Sequence, residues 1–233
     1  MQLPFFYQPS LSEDGELILS EDNSRHLAQV LRMNPNEKIH LTDGMGSLAT
    51  ATIKVPDKKK TIAFIYQHEE FSRSVPGITI AICPVKNPQR FEWFLAKAVE
   101  IGVSAVVPLF SERTERTFLK KERMEKIIIS SMIQSRQVWK THLAGQIRFE
   151  EFIRKATDDN KFIAHCLDTE KENLVKFKGN STILIGPEGD FTGQEIAEAI
   201  NLGYQPVSLG VTRLRTETAG IVAAVLLKFL GSN

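Results

Sequence analysis

The sequence predicts a two-part chain in which a small β-rich unit precedes a larger α/β unit with a mostly parallel sheet. Short alternating segments separated by tight turns fill residues 1–70, a pattern typical of a small β-barrel. Residues 71–77 are polar and contain a Pro-Gly pair, which predicts a linker. Over residues 78–233, apolar strands alternate with helices, and this alternation predicts a parallel sheet with helices on both faces.

Composition narrows the class of protein. Of the 233 residues, 42% are hydrophobic and 24% are charged, as in an ordinary globular protein. The N-terminus lacks a signal-peptide pattern and no apolar run could span a bilayer, so we expect a cytoplasmic protein without a membrane partner. Cys83 and Cys166 have no CxxC partner and the five histidines are scattered, so neither a disulfide framework nor a metal site is expected.

Charge is distributed unevenly although the formal net charge is only +1. Residues 1–72 contain seven basic and ten acidic side chains, whereas residues 111–155 contain eleven basic and six acidic ones. A solvated helix face explains such a basic segment without any ligand. A local surface for phosphate groups is the alternative.

Turn and capping residues place the elements of the first unit. Polar residues Ser20–Asn23 predict the start of a short helix, and Asp43-Gly44 predicts a turn. The predicted strands are Leu3–Tyr7, Glu16–Leu19, Lys38–Thr42, Leu48–Val55 and Thr61–Tyr66.

Helices of the second unit are marked by caps. Asn87-Pro88 opens a helix that should reach Ile101, and Thr192 with Glu195 forms a capping box. Further helices are predicted over Lys120–Gln137, over Phe149–Lys155, and from a Thr216 cap to Leu230. The intervening strands are Ile78–Cys83, Val103–Phe110, Lys161–Leu167, Thr182–Ile185 and Tyr204–Leu209.

The last helix is apolar around its whole circumference from Ala219 to Leu227. Such a helix is expected to be buried on all sides. At the end of a domain of this size, that burial favours a partner subunit, and we therefore predict a homodimer. Burial within a single chain is the alternative.

Two strand ends carry the candidate site. Thr182–Phe191 and Ser208–Ala219 each begin as an apolar run and stop in glycine and charge before a helix, and α/β proteins build small-molecule sites at such ends. The glycines of Gly186-Pro187-Glu188-Gly189 would let the backbone approach a ligand, although a plain turn between strand and helix fits equally well. The spacing is neither GxGxxG nor GxxxxGK[ST], which argues against nicotinamide cofactors and nucleoside triphosphates.

The second strand end adds charged side chains. Arg213 and Arg215 could form a fork for a phosphate or a base edge, with Glu217 as a nearby carboxylate. Ion pairing on the surface is the alternative. No nucleophile elbow with a Ser/His/Asp pattern is present in the sequence, so hydrolysis has little support.

Three motifs in this order resemble the RsmE family, ribosomal RNA methyltransferases of the SPOUT superfamily that methylate N3 of a uridine in 16S ribosomal RNA. The motifs are KNPQRFEWFLAKAVEIGVSAVVPL, ILIGPEGDFT and LGVTRLRTETA. The resemblance covers nearly the whole chain and implies a PUA-like RNA-binding β-barrel followed by an α/β domain with a trefoil knot. It also implies S-adenosylmethionine as cofactor, a homodimer, and 16S ribosomal RNA or the small ribosomal subunit as partner.

The resemblance places S-adenosylmethionine against two strand ends. For the implied methylation of uracil N3, we expect Arg215 to stabilise negative charge on the uracil and Glu217 to be the candidate base. The implied cofactor residues are Cys166, Leu167, Ile185, Gly186, Pro187, Glu188, Gly189, Leu209, Gly210 and Leu214. For RNA docking we expect Arg25, Arg32, Lys86, Arg90 and Arg113 to contribute.

The chain departs from the family pattern in two places. Asp190 replaces a second glycine. Gln134–Lys140 stands where the family usually has Gln-Ser-Gly-Arg followed by a proline, and it lacks that proline. Two other functions are compatible with the sequence. One is a ribose 2′-O methyltransferase of the same superfamily, and the other is a non-catalytic RNA-binding assembly protein.

Overall fold

The computed structural model describes residues 2–73, 76–115 and 119–231. The chain divides into two compact units. The first comprises the residues up to Arg73 together with Met132–Lys140, and the second comprises the rest. The boundary after Arg73 lies within the segment that the sequence predicts as a linker.

A five-stranded sheet in the order β1-β3-β4-β5-β2 forms the first unit. Strand β1 pairs with β3 in parallel and the other neighbours are antiparallel. Its core contains Phe6, Leu27, Leu41 and Ile65. The strands are β1 (Phe5–Tyr7), β2 (Gly15–Ile18), β3 (Lys38–Thr42), β4 (Ser47–Val55) and β5 (Ile62–Glu70).

The predicted short helix is present but changes type along its length. Helix α1 (Glu21–Arg25) is capped by the Ser20 hydroxyl, which accepts a hydrogen bond from the Asn23 N–H at 3.3 Å. A π-helix then covers His26–Val30. The wider turn was not predicted, because the hydrophobic spacing is compatible with an ordinary α-helix.

Residues Met132–Lys140 pack with the sheet of the first unit. The Gly46 N–H donates to the Val138 carbonyl at 2.9 Å, and the Lys140 N–H donates to the Gly44 carbonyl at 2.8 Å. The Arg73 guanidinium lies 4.7 Å from the centre of the Trp139 ring. The segment that departs from the family pattern therefore forms part of the first unit.

An eight-stranded sheet in the order β11-β13-β10-β12-β6-β7-β8 forms the second unit, and β9 pairs with β7. Its strand pairs are parallel among the described residues. The strands are β6 (Ile78–Ile82), β7 (Ala105–Phe110), β8 (His142–Leu143), β9 (Ile147–Arg148), β10 (Asn160–Ala164), β11 (Glu172–Asn173), β12 (Ser181–Ile185) and β13 (Gln205–Ser208).

Helices cover both faces of this sheet. On one face Ala81 and Cys83 lie in a core cluster with side chains of α4 and α5. On the other face α6 packs against α2, β6 and β12. The helices of the second unit are α2 (Pro88–Ile101), α3 (Lys121–Ser135, whose end belongs to the first unit), α4 (Phe149–Lys155), α5 (Gly193–Asn201) and α6 (Thr216–Leu230). The predicted parallel sheet with helices on both faces is thus confirmed.

One detail of α6 differs from expectation. The N-cap residue is Arg215 rather than Thr216, because the Thr216 hydroxyl donates instead to the Gly186 carbonyl at 3.0 Å. Within the single chain, four residues of the predicted apolar stretch are buried and the others are half-buried, while Phe229 beyond the stretch is 75% exposed. This outer side of α6 is a surface that a second chain could cover, and the homodimer stays a prediction.

None of the described helices has the length and apolar character that crossing a membrane would require.

Candidate cofactor site

Three adjacent strand ends form the floor of the candidate site. Parallel pairing aligns Ala164 of β10 with Ile185 of β12 on one side and with Val207 of β13 on the other. All three strands therefore end at the same edge of the sheet. The loops that follow them bring the two glycine-containing stretches of the sequence together, although these stretches are separated along the chain.

A cavity of ≈ 640 Å³ opens at this edge, within the size range typical of small-molecule sites. Its lining confirms that the two strand ends share one cavity. The residues that line it are Ala164, His165, Cys166, Lys171, Ile185, Gly186, Pro187, Glu188, Asp190, Val207, Ser208, Leu209, Gly210, Val211, Thr212, Arg213, Leu214, Arg215, Thr216 and Ala219.

The structure places most of the predicted cofactor residues in this lining, together with Arg215. Leu167, Gly189 and Glu217 are not among the lining residues. Gly189 is held by a residue outside the cavity lining, since Arg113 Nη1 donates a hydrogen bond to the Gly189 carbonyl at 2.9 Å. The cavity therefore depends on backbone groups of the loops and on a few side chains.

Glu188 links two loops of the second unit. Its Oε1 accepts a hydrogen bond from the Lys86 N–H at 3.1 Å, so the carboxylate fixes the loop after β6 against the loop after β12. The Lys86 ammonium pairs with Glu115 at 2.8 Å, and this contact raises the pKa of Lys86. The Glu188 carboxylate and the Lys86 ammonium therefore both have partners within the protein.

Glu217 lies in the first turn of α6 and its side chain is only 9% exposed. Its Oε1 lies 3.7 Å from Arg90 Nε. The pairing places a predicted RNA-binding arginine and the predicted base next to each other. Their roles in docking and in proton transfer stay predictions.

The predicted RNA-binding residues of the first unit differ in their surroundings. Arg25 pairs with Glu21 at 2.5 Å and approaches Asp22 at 3.9 Å, so its charge is partly offset. Arg32 is exposed, and no ion pair involves it among the described residues. Arg32 also adopts a left-handed backbone with φ of 52°.

His165 was missed by sequence reasoning, although it is the one polar residue that follows the apolar run of β10. It is 8% exposed, and neither ring nitrogen has a hydrogen-bond partner among the described residues. Burial lowers the pKa of His165, the nearby Lys171 ammonium lowers it further, and Asp190 opposes both. A buried imidazole with two unpartnered nitrogens at a cavity wall is suited to binding a polar ligand group.

Asp190, at the position where the resemblance predicts a second glycine, adopts a backbone conformation that glycine favours. Its φ is 62°, in the left-handed region that aspartate tolerates better than most residues. Its Oδ2 accepts a hydrogen bond from the Cys166 N–H at 2.7 Å, and its Oδ1 accepts one from the Phe191 N–H at 2.8 Å. The carboxylate therefore joins the loop after β12 to the end of β10.

Substitution of Asp190 should separate its backbone role from its carboxylate role. Asp190→Ala forces a residue without a local acceptor into the left-handed region, whereas Asp190→Gly relieves it. We expect both variants to be less stable than the parent, and Asp190→Ala to be less stable than Asp190→Gly by about 1 kcal/mol. Urea unfolding of the three proteins measures this. Equal stability of the two variants would show that the backbone is not strained in the folded protein.

Comparison with known proteins identifies the class. A family model described as the RNA methyltransferase domain matches residues 73–228, and one described as the RNA methyltransferase PUA domain matches residues 19–65. The chain belongs to the RNA methyltransferase family, with a PUA domain at its N-terminus.

More narrowly, the chain belongs to the RsmE family, the ribosomal RNA small subunit methyltransferases E. A solved member from Neisseria gonorrhoeae, bound to S-adenosyl methionine, is 32% identical, with a TM-score of 0.89 and coverage of 99% of this chain and 98% of the other. A probable rRNA-methyltransferase from Porphyromonas gingivalis is 37% identical, with a TM-score of 0.88 and 99% of both chains covered. The Synechocystis enzyme is 27% identical over 93% of this chain and 74% of its own length. These matches confirm the resemblance seen in the sequence.

Proposed function

We propose that this protein methylates N3 of a uridine in 16S ribosomal RNA, using S-adenosylmethionine as the methyl donor. Methylation of ribosomal RNA with this donor follows from membership of the RsmE family and from the cofactor-bound relative of 32% identity. The observation that carries the proposal for this chain is the cavity at the joined ends of β10, β12 and β13.

The cavity fits the cofactor. Its volume of ≈ 640 Å³ suits a ligand of this size, and its lining combines apolar side chains such as Leu209 and Leu214 with loop backbone. Backbone groups at Gly186 and Gly210 can approach an adenine edge or a ribose closely, because glycine has no Cβ. When bound, S-adenosylmethionine supplies an electrophilic methyl group on a sulfonium.

Arg215 is the residue that we assign to the uracil. It lines the cavity, is exposed, and ends the loop that closes the site before α6. The uracil N3 must lose its proton, which leaves negative charge on the neighbouring carbonyl oxygens. A guanidinium placed beside those oxygens lowers the energy of the charged form. The chain thus contributes positioning and charge stabilisation.

Glu217 is the predicted base two residues further on. Since it is not among the cavity-lining residues and lies beside Arg90, this assignment rests on the sequence alone. Glu217→Gln tests it. A variant with parental methylation rate at every pH measured would remove Glu217 from the mechanism.

The proposed active form is a homodimer in the cytoplasm. Support comes from α6 and α2, which pack together and carry the exposed apolar side chains Phe229 and Trp93, 75% and 51% exposed. Exposed aromatic side chains of this kind are enriched at interfaces between subunits. Light scattering of the purified protein tests the assembly, and a monomer at the concentration of the assay would contradict it.

Analysis of the methylated nucleoside tests the function directly. Small subunits and naked 16S ribosomal RNA, both from cells without the gene, are incubated with the purified protein and S-adenosylmethionine. We expect 3-methyluridine after digestion and mass spectrometry. A 2′-O-methylated nucleoside would support a ribose methyltransferase. Binding of RNA without any methyl transfer would support an assembly protein.

Alkylation of Cys166 should report cofactor binding. Cys166 is exposed and lines the cavity, whereas burial raises the pKa of Cys83 to about 11. We expect iodoacetamide to modify Cys166 alone, because the buried protonated thiol of Cys83 is inert. Peptide mass spectrometry follows the rate, with Cys166→Ser as the unlabelled control. S-adenosylmethionine at 100 times its Kd should slow the alkylation of Cys166 up to about 100-fold. An unchanged alkylation rate would mean that the cofactor binds elsewhere.

A further inference from the structure

The outer face of the first unit's sheet carries an unusual combination of side chains. Along β5, Ala63 and Ile65 are fully buried in the core, while Phe64 and Tyr66 between and beyond them are 37% and 44% exposed. Alternation along a strand explains the placement, since successive side chains point to opposite faces. Two aromatic rings therefore stand on the solvent side of the sheet, on the same strand.

A lysine lies over each ring. Lys38 Nζ is 5.3 Å from the centre of the Tyr66 ring, and Lys54 Nζ is 5.2 Å from the centre of the Phe64 ring. No carboxylate pairs with either ammonium group within residues 2–73, 76–115 and 119–231. Because an exposed cation over a ring contributes only modestly to folding, these four side chains need a further explanation. We name them the aromatic-lysine face.

Pairing in the sheet defines the surroundings of this face. Thr52 of β4 aligns with Lys38 on one side and with Phe64 on the other, while Glu16 of β2 aligns with Phe64 from the opposite side. Ile18, 58% exposed, extends the apolar surface along β2. The face is thus aromatic and apolar in its centre and contains two unpaired positive charges and one acidic residue at its edge.

We propose that the aromatic-lysine face binds unpaired nucleotides of RNA, with bases stacked on Phe64 and Tyr66 and phosphates held by Lys38 and Lys54. Aromatic rings on an open sheet stack bases of any sequence, and nearby cations neutralise the backbone. Residues two apart on a strand lie about 6.7 Å apart, which permits neighbouring bases of an extended strand to contact both rings. An apolar protein partner would leave the two lysine charges without a counterpart.

This inference deepens the proposed function, because it rests on an RNA substrate and names the surface that docks it. It differs from the docking predicted from the sequence, which relied on Arg25 and Arg32. In the structure the charge of Arg25 is partly offset by Glu21 and Asp22. The aromatic-lysine face instead offers rings and free charge together.

Binding of a labelled single-stranded oligouridylate to the full-length protein tests the proposal. The double variant Phe64→Ala with Tyr66→Ala should weaken binding by about fivefold to about 100-fold for each of the two rings, because each stacked base contributes that much. Phe71→Ala is the matched control, since Phe71 is 41% exposed in the same unit and no lysine lies over its ring among the described contacts. It should bind like the parent.

A second pair of variants tests the charges without touching the rings. Lys38→Gln with Lys54→Gln should reduce the slope of log affinity against log salt by about 1.4, corresponding to two phosphates of a single strand. A matched RNA duplex should show a smaller loss for the aromatic variant, since its bases cannot stack on the rings. Thermal unfolding verifies that each variant is folded.

Unchanged binding of single-stranded RNA by the folded aromatic variant overturns the proposal. An equal loss on the duplex does so as well, because it assigns the face to phosphates alone. Failure of the proposed function is distinguishable, since it appears as absence of 3-methyluridine with the parental protein. If the parental protein methylates RNA and the aromatic variant also binds and methylates RNA normally, only the role of this face is refuted.

Discussion

Arg215→Ala should lower the rate constant of methylation by about 100-fold or more while the affinity for S-adenosylmethionine remains that of the parent. Arg215 is an exposed cation that lines the cavity directly before α6. Removal of one group that stabilises developing negative charge typically costs two to three orders of magnitude in rate. Loss of rate without loss of cofactor binding would therefore assign Arg215 to the uracil.

Single-turnover methylation and calorimetry with S-adenosylmethionine separate the two effects. Arg215→Lys should recover part of the rate, because lysine retains the charge but not the planar donor geometry. Arg148→Ala is the matched control, since Arg148 is exposed at the start of α4 and does not line the cavity. An Arg215→Ala protein that methylates at the parental rate would exclude the proposed role, and weakened cofactor binding alone would make Arg215 a cofactor residue.

Gly220→Ala should lower the free energy of unfolding by about 1–3 kcal/mol, the usual cost of inserting atoms into a packed core. A Cβ at Gly220 would lie 2.6 Å from a ring carbon of Phe94 and 2.8 Å from a methyl carbon of Ile82. Both neighbours are fully buried, so neither can move aside without displacing others. The higher helix propensity of alanine offsets only about 1 kcal/mol of this.

Gly193→Ala is the control for the higher helix propensity of alanine. Gly193 is the first residue of α5, and a Cβ there would meet nothing within 4 Å. This variant should be neutral or more stable by up to about 1 kcal/mol. Urea unfolding of both variants measures the change in stability. Equal changes for the two variants would show that the packing between α2, α6 and β6 adjusts freely.

Because Thr216 of α6 contacts Gly186, displacement of α6 in the Gly220→Ala variant should also weaken cofactor binding.

The sequence was sufficient for the elements whose signals are local. The cap at Asn87 accepts the Gln89 N–H at 3.0 Å, and the capping box between Thr192 and Glu195 is present in both directions. These features depend on residues a few positions apart, so their chemistry can be recognised without a fold. The π-helix at His26–Val30 could not be recognised, because it differs from an α-helix only in hydrogen bonding that the hydrophobic pattern does not record.

The cavity at the ends of β10, β12 and β13 was predictable in part for the same reason. Glycine and charged residues follow the strands that end at Ile185 and Ser208, and these are local signals. Parallel pairing explains why both strands end at one edge of the sheet. The position of His165 in the cavity wall was not predictable, because a single polar residue after an apolar run has no periodic pattern. Its burial without a hydrogen-bond partner among the described residues is visible only in the structure.

The sequence by itself determined the two-part organisation, the parallel α/β architecture and, through three ordered motifs, the family. Only the tertiary structure decided which side chains meet. It joined Asp190 to Cys166, paired Glu217 with Arg90, and placed Lys38 and Lys54 over two exposed rings. Strands and caps follow from neighbouring residues, whereas each of these contacts joins residues from different elements. Their geometry depends on strand register and loop packing, which the order of residues does not state.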